Sequence, residues 1–245
     1  VFASCPLRRS FARIGLSYSY SLSSMKTFSA ASEAIFGGLF FRGFDTANSL
    51  EGIRTSKLSP TYTYNTMDNQ WNPTKGRYVY IGTEFAGNLL GGNVNSFRPI
   101  FEIKQFKQVH KRNVMGVRLQ ASWVTGFGGR VAPPFSRFFI GGENDLRGFR
   151  IRSISPLVWF PVTSSVRQLN EYGVQALDEN GQMLPPISFP STTVTFPGAD
   201  AMTVGNFEYR VPLVGPVTVA YFLDVGTSWI LKKDQLRLRP GTLDH

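Results

Sequence analysis

The residues of this chain that could do chemistry are few, and most are spaced wrongly for a known kind of site. His110 and His245 lie far apart and Cys5 is the only cysteine, so a His/Cys metal site of the usual spacing is not available and no internal disulfide can form. The glycine-rich stretch GGENDLRGF, residues 141–149, lacks the Gly-Lys-Ser/Thr ending of a phosphate-binding loop. The chain also lacks a Gly-x-Ser-x-Gly nucleophile motif. These observations predict no metal site and no cofactor.

Two carboxylates and one arginine remain as candidates. Glu208 in NFEYRV and Asp224 in YFLDVG could in principle act as a general acid and a general base. Arg147 stands between a leucine and a glycine in RFFIGGENDLRGF, a loop-like stretch rich in aromatic residues and glycine. What these three side chains can do depends on the elements that carry them.

Seven segments alternate between apolar and polar residues with period two, which is the pattern of β-strands. In VMGVRLQASW the odd-numbered residues from Met115 to Trp123 are apolar, and small or polar residues such as Arg118 lie between them. The same alternation places Glu208 and Asp224 on the polar faces of their strands. The segments are FARIGLSYSYSL, LSPTYTYN, YVYIGTEF, FRPIFEIKQFK, VMGVRLQASW, TVGNFEYRV and VTVAYFLDVG.

The connections between these segments indicate how the strands are arranged. Most segments are about ten residues long, the length of a strand that crosses a bilayer at a tilt. Short turns, such as those near Cys5–Ser10, Gln108–Asn113 and Leu213–Pro216, alternate with long links, of which residues 125–201 form the longest. Long loops on one side are typical of outer-membrane barrels. We therefore expect an all-β fold, about seven strands of a transmembrane antiparallel β-barrel, with a soluble β-sandwich as the alternative.

The composition limits the class of partner. Charged residues make up only 17% of the 245 residues, and the net charge of +10 suits nucleic acid, an anionic lipid surface or a basic pore lining. The basic residues are spread along the chain rather than gathered in an aromatic-laced patch, so nucleic-acid binding is not predicted. Seven strands cannot close an outer-membrane barrel, which uses an even number of strands. We therefore expect the chain to be a piece of a longer protein.

Three stretches together resemble the BamA-type outer-membrane assembly proteins, the bacterial surface antigen superfamily. FFIGGENDLRGF resembles the Arg-Gly-Phe loop motif of that family, and YTYNTMDNQWNPTKGRYVYIGTEFAG resembles a strand, an Asp-containing turn, a Pro-x-x-Gly and the next strand. NFEYRVPLVGPVTVAYFLDVGTSW resembles the hairpin that follows the loop. The resemblance runs from about Phe11 to Trp229. It implies that residues 1–245 are a partial outer-membrane β-barrel domain from a roughly sixteen-stranded barrel, without the POTRA domains, the early strands and the last strands.

The resemblance also implies a role for the arginine. It implies that the loop of about residues 125–201 folds into the barrel, where Arg147 meets Glu208 and Asp224 on the inner wall. A planar guanidinium can bridge two carboxylates and would hold both ionised, so we predict no catalytic residue. The loop residues that the resemblance singles out are here called the latch motif: Gly141, Gly142, Arg147, Gly148 and Phe149.

The latch motif leads to two finer expectations. Its glycines would allow tight bends, and Phe149 would pack the loop down. A structural role in the barrel and a role in the working cycle both stay open for Arg147. A second Arg-Gly-Phe, at Arg42 in GGLFFRGF, is interpreted as a chance recurrence of the tripeptide without the role of the latch motif.

Tryptophans near the strand ends are interpreted as aromatic residues at the membrane interface. They are Trp71, Trp123 and Trp229. The Pro-, Ser- and Thr-rich insertion of residues 151–200 is interpreted as an extracellular extension of the loop.

The function that the resemblance implies is the folding and insertion of other barrel proteins into the bacterial cell outer membrane, without ATP and without enzymatic activity. The implied partners are unfolded outer-membrane client proteins, accessory lipoproteins of an assembly complex and the lipid bilayer. The alternatives are a relative that exports polypeptide, as in two-partner secretion or TamA-type translocation, and a passive porin or adhesin barrel.

Overall fold

The computed structural model of the chain describes residues 1–8, 10–24, 39–40, 52–110, 112–177, 180–232 and 237–238. Strands and their connections make up nearly all of this part of the chain. Its helices are two single turns of 3-10 helix, at Asn88–Leu90 and Pro134–Ser136. In the described residues no helix has the length and apolar character needed to cross a membrane.

Antiparallel pairing joins the longer strands into one sheet. The strands, in chain order, are β1 (Phe2–Pro6), β2 (Ala12–Ser23), β3 (Leu39–Phe40), β4 (Ile53–Asn65), β5 (Gly76–Ala86), β6 (Ser96–His110), β7 (Asn113–Trp123), β8 (Thr125–Gly126), β9 (Val158–Val166), β10 (Ile187–Thr195), β11 (Ala201–Pro212), β12 (Thr218–Trp229) and β13 (Arg237–Leu238). The order in the main sheet is β1-β2-β4-β5-β6-β7-β11-β12, with β8 pairing on β6. Two separate two-stranded sheets are formed by β9 with β10 and by β3 with β13.

The predicted all-β antiparallel fold is confirmed, and each of the seven alternating segments forms a strand of the main sheet: β2, β4, β5, β6, β7, β11 and β12. The main sheet contains two strands more than predicted: Phe2–Pro6, which pairs with β2, and the two-residue β8, which pairs with β6. The turn predicted at Cys5–Ser10 was therefore placed too early, and it is closed by Leu7, whose N–H donates to the carbonyl of Ala12. The sequence FASCP is short and does not alternate, so it carries no period-two signal.

The two faces of the sheet differ as the alternation predicts. On the apolar face large side chains are exposed, for example Ile14 at 49%, Leu119 at 55% and Leu223 at 63%. The polar face contains Arg118, Asn206 and Asp224, which occupy one row because Asn206 pairs with both of the others. Large exposed apolar surfaces of this extent mark contact with lipid or with another apolar partner.

The long connection between β7 and β11 covers part of the polar face. Residues of this loop pack on β11 and form a buried apolar cluster, with Ile154 packed against it. The cluster ties the loop to the sheet by burial of apolar area, the dominant stabilising term in folding. Its members are Val124, Ala132, Phe138, Ile140, Leu146, Ala199, Met202 and Val204.

The insertion after residue 150 contains a β-hairpin that the sequence did not reveal. Strand β10 pairs with β9 over nine residue pairs, from Ile187 with Val166 to Thr195 with Val158. Each strand contains a proline, Pro161 and Pro190. Proline within a strand pattern argues against a paired strand, but both strands of an isolated hairpin are edges, where proline is tolerated.

Candidate functional site

The tip of the long loop reaches the middle of the main sheet. Arg147 contacts Asp224, which lies five residues from Trp229, the end of β12 nearest the loop. At roughly 3.4 Å per residue of antiparallel strand, the tip therefore descends about 17 Å along the polar face. The loop enters the space above the polar face rather than projecting away from the strands.

Arg147 of the loop and Asp224 of the sheet are joined by three hydrogen bonds. The Arg147 Nε donates to Asp224 Oδ2 at 2.8 Å, and a terminal nitrogen donates to Oδ1 at 2.7 Å. The backbone N–H of Arg147 also donates to Oδ2, at 2.9 Å. The side chain of Asp224 is 4% exposed. A planar fork of donors on a buried carboxylate is the strong, geometrically specific form of an ion pair.

Glu208 completes the surroundings of the guanidinium. The remaining terminal nitrogen of Arg147 donates to Glu208 Oε2 at 2.9 Å, and the guanidinium carbon lies 4.0 Å from the centroid of the Phe222 ring. Glu208 and Phe222 pair across β11 and β12. The structure thus brings together Arg147, Glu208 and Asp224, and the ring of Phe222 is the third neighbour of the guanidinium.

Two further side chains hold the loop tip by its backbone. Arg118 donates to the carbonyl oxygen of Asn144, and Asn206 Nδ2 donates to the carbonyl oxygen of Asp145 at 2.7 Å. The same Asn206 nitrogen lies 2.9 Å from Asp224 Oδ1. The alternation placed Arg118 among the polar residues of its strand, and Asn206 was not singled out as a site residue. Their position beside the carboxylate in the strand register could have identified them, but the register itself was not predicted.

The glycines of the latch motif adopt backbone conformations that other residues rarely adopt. Gly141, Gly142 and Gly148 have φ values of 115°, 104° and 87°. A Cβ on Gly141 would also lie 2.6 Å from the carbonyl oxygen of Arg150. Gly148 has open space around it, so its requirement is the left-handed backbone alone.

The expected role of Phe149 is not what the structure shows. Phe149 is 55% exposed, whereas Leu146 is 2% exposed. Leu146 lies against the sheet at Gly226, where an added Cβ would come within 3.1 Å of both Leu146 methyl carbons. Leu146 therefore packs the loop down, because it lies next to Arg147 on the side that meets the strands.

The turn between β4 and β5 contributes a second element to the site. Asp68 organises this turn: its carboxylate accepts the hydroxyl and the N–H of Thr74 and the N–H groups of Lys75 and Asn69. These hydrogen bonds lower the pKa of Asp68 well below its ordinary value, and the bond from the Thr74 hydroxyl has the largest effect.

The same turn contacts the sheet through Arg210. A terminal nitrogen of Arg210 donates to the carbonyl oxygen of Pro73 at 2.9 Å, and the other donates to Asn72 Oδ1. The Arg210 Nε lies 3.2 Å from Glu208 Oε1. Glu208, which accepts a hydrogen bond from Arg147, therefore also forms an ion pair with Arg210, the arginine that contacts the turn.

Between the turn and the loop tip lies a cavity of about 300 Å³. The turn residue Trp71 lines it together with polar-face residues such as Lys104 and Arg118. The interpretation of Trp71 as a lipid-interface residue is therefore wrong. Trp123 and Trp229 pair with Ala201 on either side, at the end of the strands nearest the loop, and their interface role stays a prediction.

The chemistry of the site is that of holding a cation. Arg147 is bound by the carboxylates of Asp224 and Glu208. In the described part of the chain no group of three or more His, Cys, Asp or Glu residues is placed to bind a metal. Arg42, the second Arg-Gly-Phe arginine, lies outside the described residues.

The family model described as the Omp85 superfamily domain matches residues 8–239. An outer membrane protein assembly factor BamA from Nitratidesulfovibrio vulgaris is 34% identical over 107 residues, 43% of this chain and 14% of the relative. A BamA from Neorickettsia risticii is 28% identical over 145 residues, 57% of this chain and 19% of the relative.

Animal and structural relatives agree with these matches. A sorting and assembly machinery component 50 homolog from Xenopus tropicalis is 30% identical over 101 residues, 41% of this chain and 21% of the relative. The crystal structure of BamA from Haemophilus ducreyi lacking POTRA domains 1-3 superposes with a TM-score of 0.59 and 17% identity, over 91% of this chain and 40% of that one. The chain thus spans between 14% and 21% of the length of these curated relatives, and the structural likeness shows the fold, part of a β-barrel.

Proposed function

The chain belongs to the Omp85 superfamily, and we propose on this ground that residues 1–245 are part of the barrel domain of an outer-membrane protein assembly factor. Such a factor folds and inserts client β-barrel proteins into the membrane, and we propose that it does so without ATP and without covalent chemistry. The proposed location is the bacterial cell outer membrane, as in the names of the two bacterial relatives.

The observation that carries the proposal is the docked loop. The loop from β7 to β11 lies on the polar face and fixes Arg147 on Asp224 and Glu208, while the opposite face exposes large apolar side chains. The polar face then lines the barrel lumen and the apolar face meets lipid. The short turns lie on the periplasmic side and the long loops on the extracellular side, as in other barrels of this kind.

In this arrangement the latch motif keeps the long loop inside the lumen. The ion pair is poised for that role because the Asp224 carboxylate is 4% exposed whereas Arg147 is 26% exposed. Undocking would break the three hydrogen bonds from Arg147 to Asp224 and expose the buried side chain of Leu146. The loop therefore stays in the lumen unless other interactions replace these contacts.

The proposed partners are unfolded outer-membrane client proteins, the surrounding lipid and the accessory lipoproteins of an assembly complex. The BamA and sorting-and-assembly names of the relatives support the general partner class, a client protein and an assembly complex. The exposed apolar face of the sheet supports the lipid contact. The proposed mode of client contact is the addition of a strand to a free sheet edge, which satisfies backbone hydrogen bonds in lipid.

The experiment uses the full-length protein that contains this chain, reconstituted in liposomes, with an unfolded barrel protein as client. Folded client in the bilayer is quantified against time by resistance to added protease, with empty liposomes as the reference. We compare the parent with Arg147→Ala and with Arg150→Ala, a matched control that removes an exposed cation three residues away.

The proposal predicts faster client folding with the parent than with empty liposomes, a slower rate for Arg147→Ala and no change for Arg150→Ala. Client polypeptide that accumulates unfolded inside the vesicles would instead identify a polypeptide exporter. Passage of small solutes without any effect on the client would identify a passive barrel. Either result would overturn the assembly function.

A further inference from the structure

Glu208 lies between two arginines, Arg147 of the long loop and Arg210 of its own strand. Its Oε2 accepts from Arg147 of the long loop at 2.9 Å, and its Oε1 lies 3.2 Å from Nε of Arg210. The side chain of Arg210 is only 15% exposed, and its guanidinium lies 5.3 Å from the Phe106 ring centroid. One carboxylate is therefore shared between the loop and a nearly buried cation.

Arg210 in turn is bound by the turn between β4 and β5, residues 66–75. Its two terminal nitrogens donate to Asn72 Oδ1 and to the carbonyl oxygen of Pro73, which lie 138 and 137 positions away in the chain. The turn holds its own shape through Asp68, which accepts four hydrogen bonds from it. Its shape therefore does not depend on Arg210, although its position against the wall does.

These contacts form a line along β11. Asn206, Glu208 and Arg210 are two residues apart, so their side chains share the polar face. The first lies beside the loop tip and the last lies beside the turn. The line thus runs from the residues that contact the loop tip to the residue that contacts the turn.

From this geometry we infer that Arg210 is a positioning residue that couples the docking of the long loop to the docking of the short turn. When the turn leaves the wall, Arg210 loses two neutral hydrogen-bond acceptors, Asn72 and Pro73. Glu208 is then the polar group that remains beside its nearly buried guanidinium. Glu208 then turns toward Arg210 and gives up its bond to Arg147. The loop is held less tightly as a result, and by thermodynamic linkage an undocked loop also loosens the turn.

This inference rests on the proposed function only for its purpose, since the coupling itself is a property of the barrel. In an assembly factor this coupling would weaken the docking of the extracellular loop when the turn at the periplasmic end of the barrel moves. The turn also carries Trp71, which is 94% exposed and lines the cavity between turn and loop tip, so a polypeptide entering that cavity would press on the turn.

The test measures backbone hydrogen exchange of the full-length protein in lipid nanodiscs, in the peptides that cover residues 66–76 and 141–149. Asp68→Ala perturbs the turn without touching Arg210 or the loop. Arg210→Gln removes the link, and Arg210→Lys keeps its charge while losing the planar fork. Arg77→Gln is the matched control, because Arg77 lies at the same turn and its side chain bonds only neutral Gln105 among the contacts described for it.

Coupling predicts that Asp68→Ala speeds exchange in the loop peptide as well as in the turn, by on the order of threefold or more, as for residues in one hydrogen-bond network. In the Arg210→Gln background Asp68→Ala should add nothing further to loop exchange. In the Arg210→Lys background, Asp68→Ala should speed loop exchange less than in the parent and more than in the Arg210→Gln background. Arg77→Gln should leave exchange in the loop peptide at the rate of the parent.

An increase confined to the turn after Asp68→Ala, or additive effects of the two substitutions on the loop, would overturn the coupling. Folding of each variant is checked by exchange in the strand peptides of β11 and β12, which should stay unchanged. Client insertion is measured separately on the same samples. Uncoupled loop exchange with normal insertion would reject only this inference, and coupled exchange without insertion would reject only the assembly function.

Discussion

Replacing Asp224 by asparagine should release the long loop from the wall of the barrel. The substitution keeps the size of the side chain but removes its charge and one acceptor oxygen. Arg147 then loses part of a contact set that comprises its backbone N–H, Nε and one terminal nitrogen. An asparagine amide nitrogen would in addition place donor against donor at one of these positions.

The size of the effect follows from the burial of the pair. Removing one partner of a buried ion pair costs about 3–5 kcal/mol. The Asp224 side chain is 4% exposed but that of Arg147 is 26% exposed, so water can solvate part of the released guanidinium. We therefore expect the lower end, about 3 kcal/mol, which corresponds to on the order of a hundredfold in the equilibrium between docked and undocked loop.

Hydrogen exchange of the loop tip measures this equilibrium directly, because local opening governs exchange of protected amides. The protected amides include Arg147, which donates to Asp224, and Gly142, which donates to the carbonyl oxygen of Leu146 at 3.2 Å. Their exchange should accelerate on the order of a hundredfold, while the strand amides of β11 and β12 stay protected. The control is Glu143→Gln, which neutralises an exposed carboxylate of the same loop. Equal loop exchange in Asp224→Asn and Glu143→Gln would refute the assignment of Asp224 as the anchor.

Two further predictions concern the backbone of the site. Gly148→Ala should destabilise the docked loop by about 1–2 kcal/mol, because Gly148 has a φ of 87° and an L-residue is strained there. Exchange at the loop tip measures the change, and an unaltered rate would show that the bend can relax. For the turn, the pKa of Asp68 is lowered on folding, so its stabilisation is present above the ordinary pKa and is lost as the pH falls through the lowered value. The Thr74 and Lys75 amides should thus stay protected at pH 4, after correction for intrinsic exchange, and Asp68→Asn should expose them at every pH.

The sequence by itself determined the strands and their faces. Period-two alternation is a local property of an extended backbone, since successive side chains point to opposite faces. It therefore located β2, β7 and β12 and placed Glu208 and Asp224 on the polar face before any partner was known. It failed for β1 and for the hairpin of β9 and β10, where shortness and proline removed the signal.

The contact of Arg147 with two carboxylates followed from resemblance to a family, because nothing local to the loop specifies which wall residues it meets. The spacing of residues along the chain also says nothing about Leu146, Arg118 or Asn206 as anchors. Those contacts depend on how the loop lies against the strand register, which only the folded sheet defines.

Only the tertiary structure shows that the long loop and the turn between β4 and β5 contact nearby residues of β11. Glu208 lies between Arg147 of the long loop and Arg210, which holds a turn 137 positions away in the chain. Alternation puts Glu208 and Arg210 on one face, but it cannot show that Asn72 and Pro73 reach the same cation. That pairing depends on the path of the turn, because side chains distant in sequence meet only where packing brings their elements together.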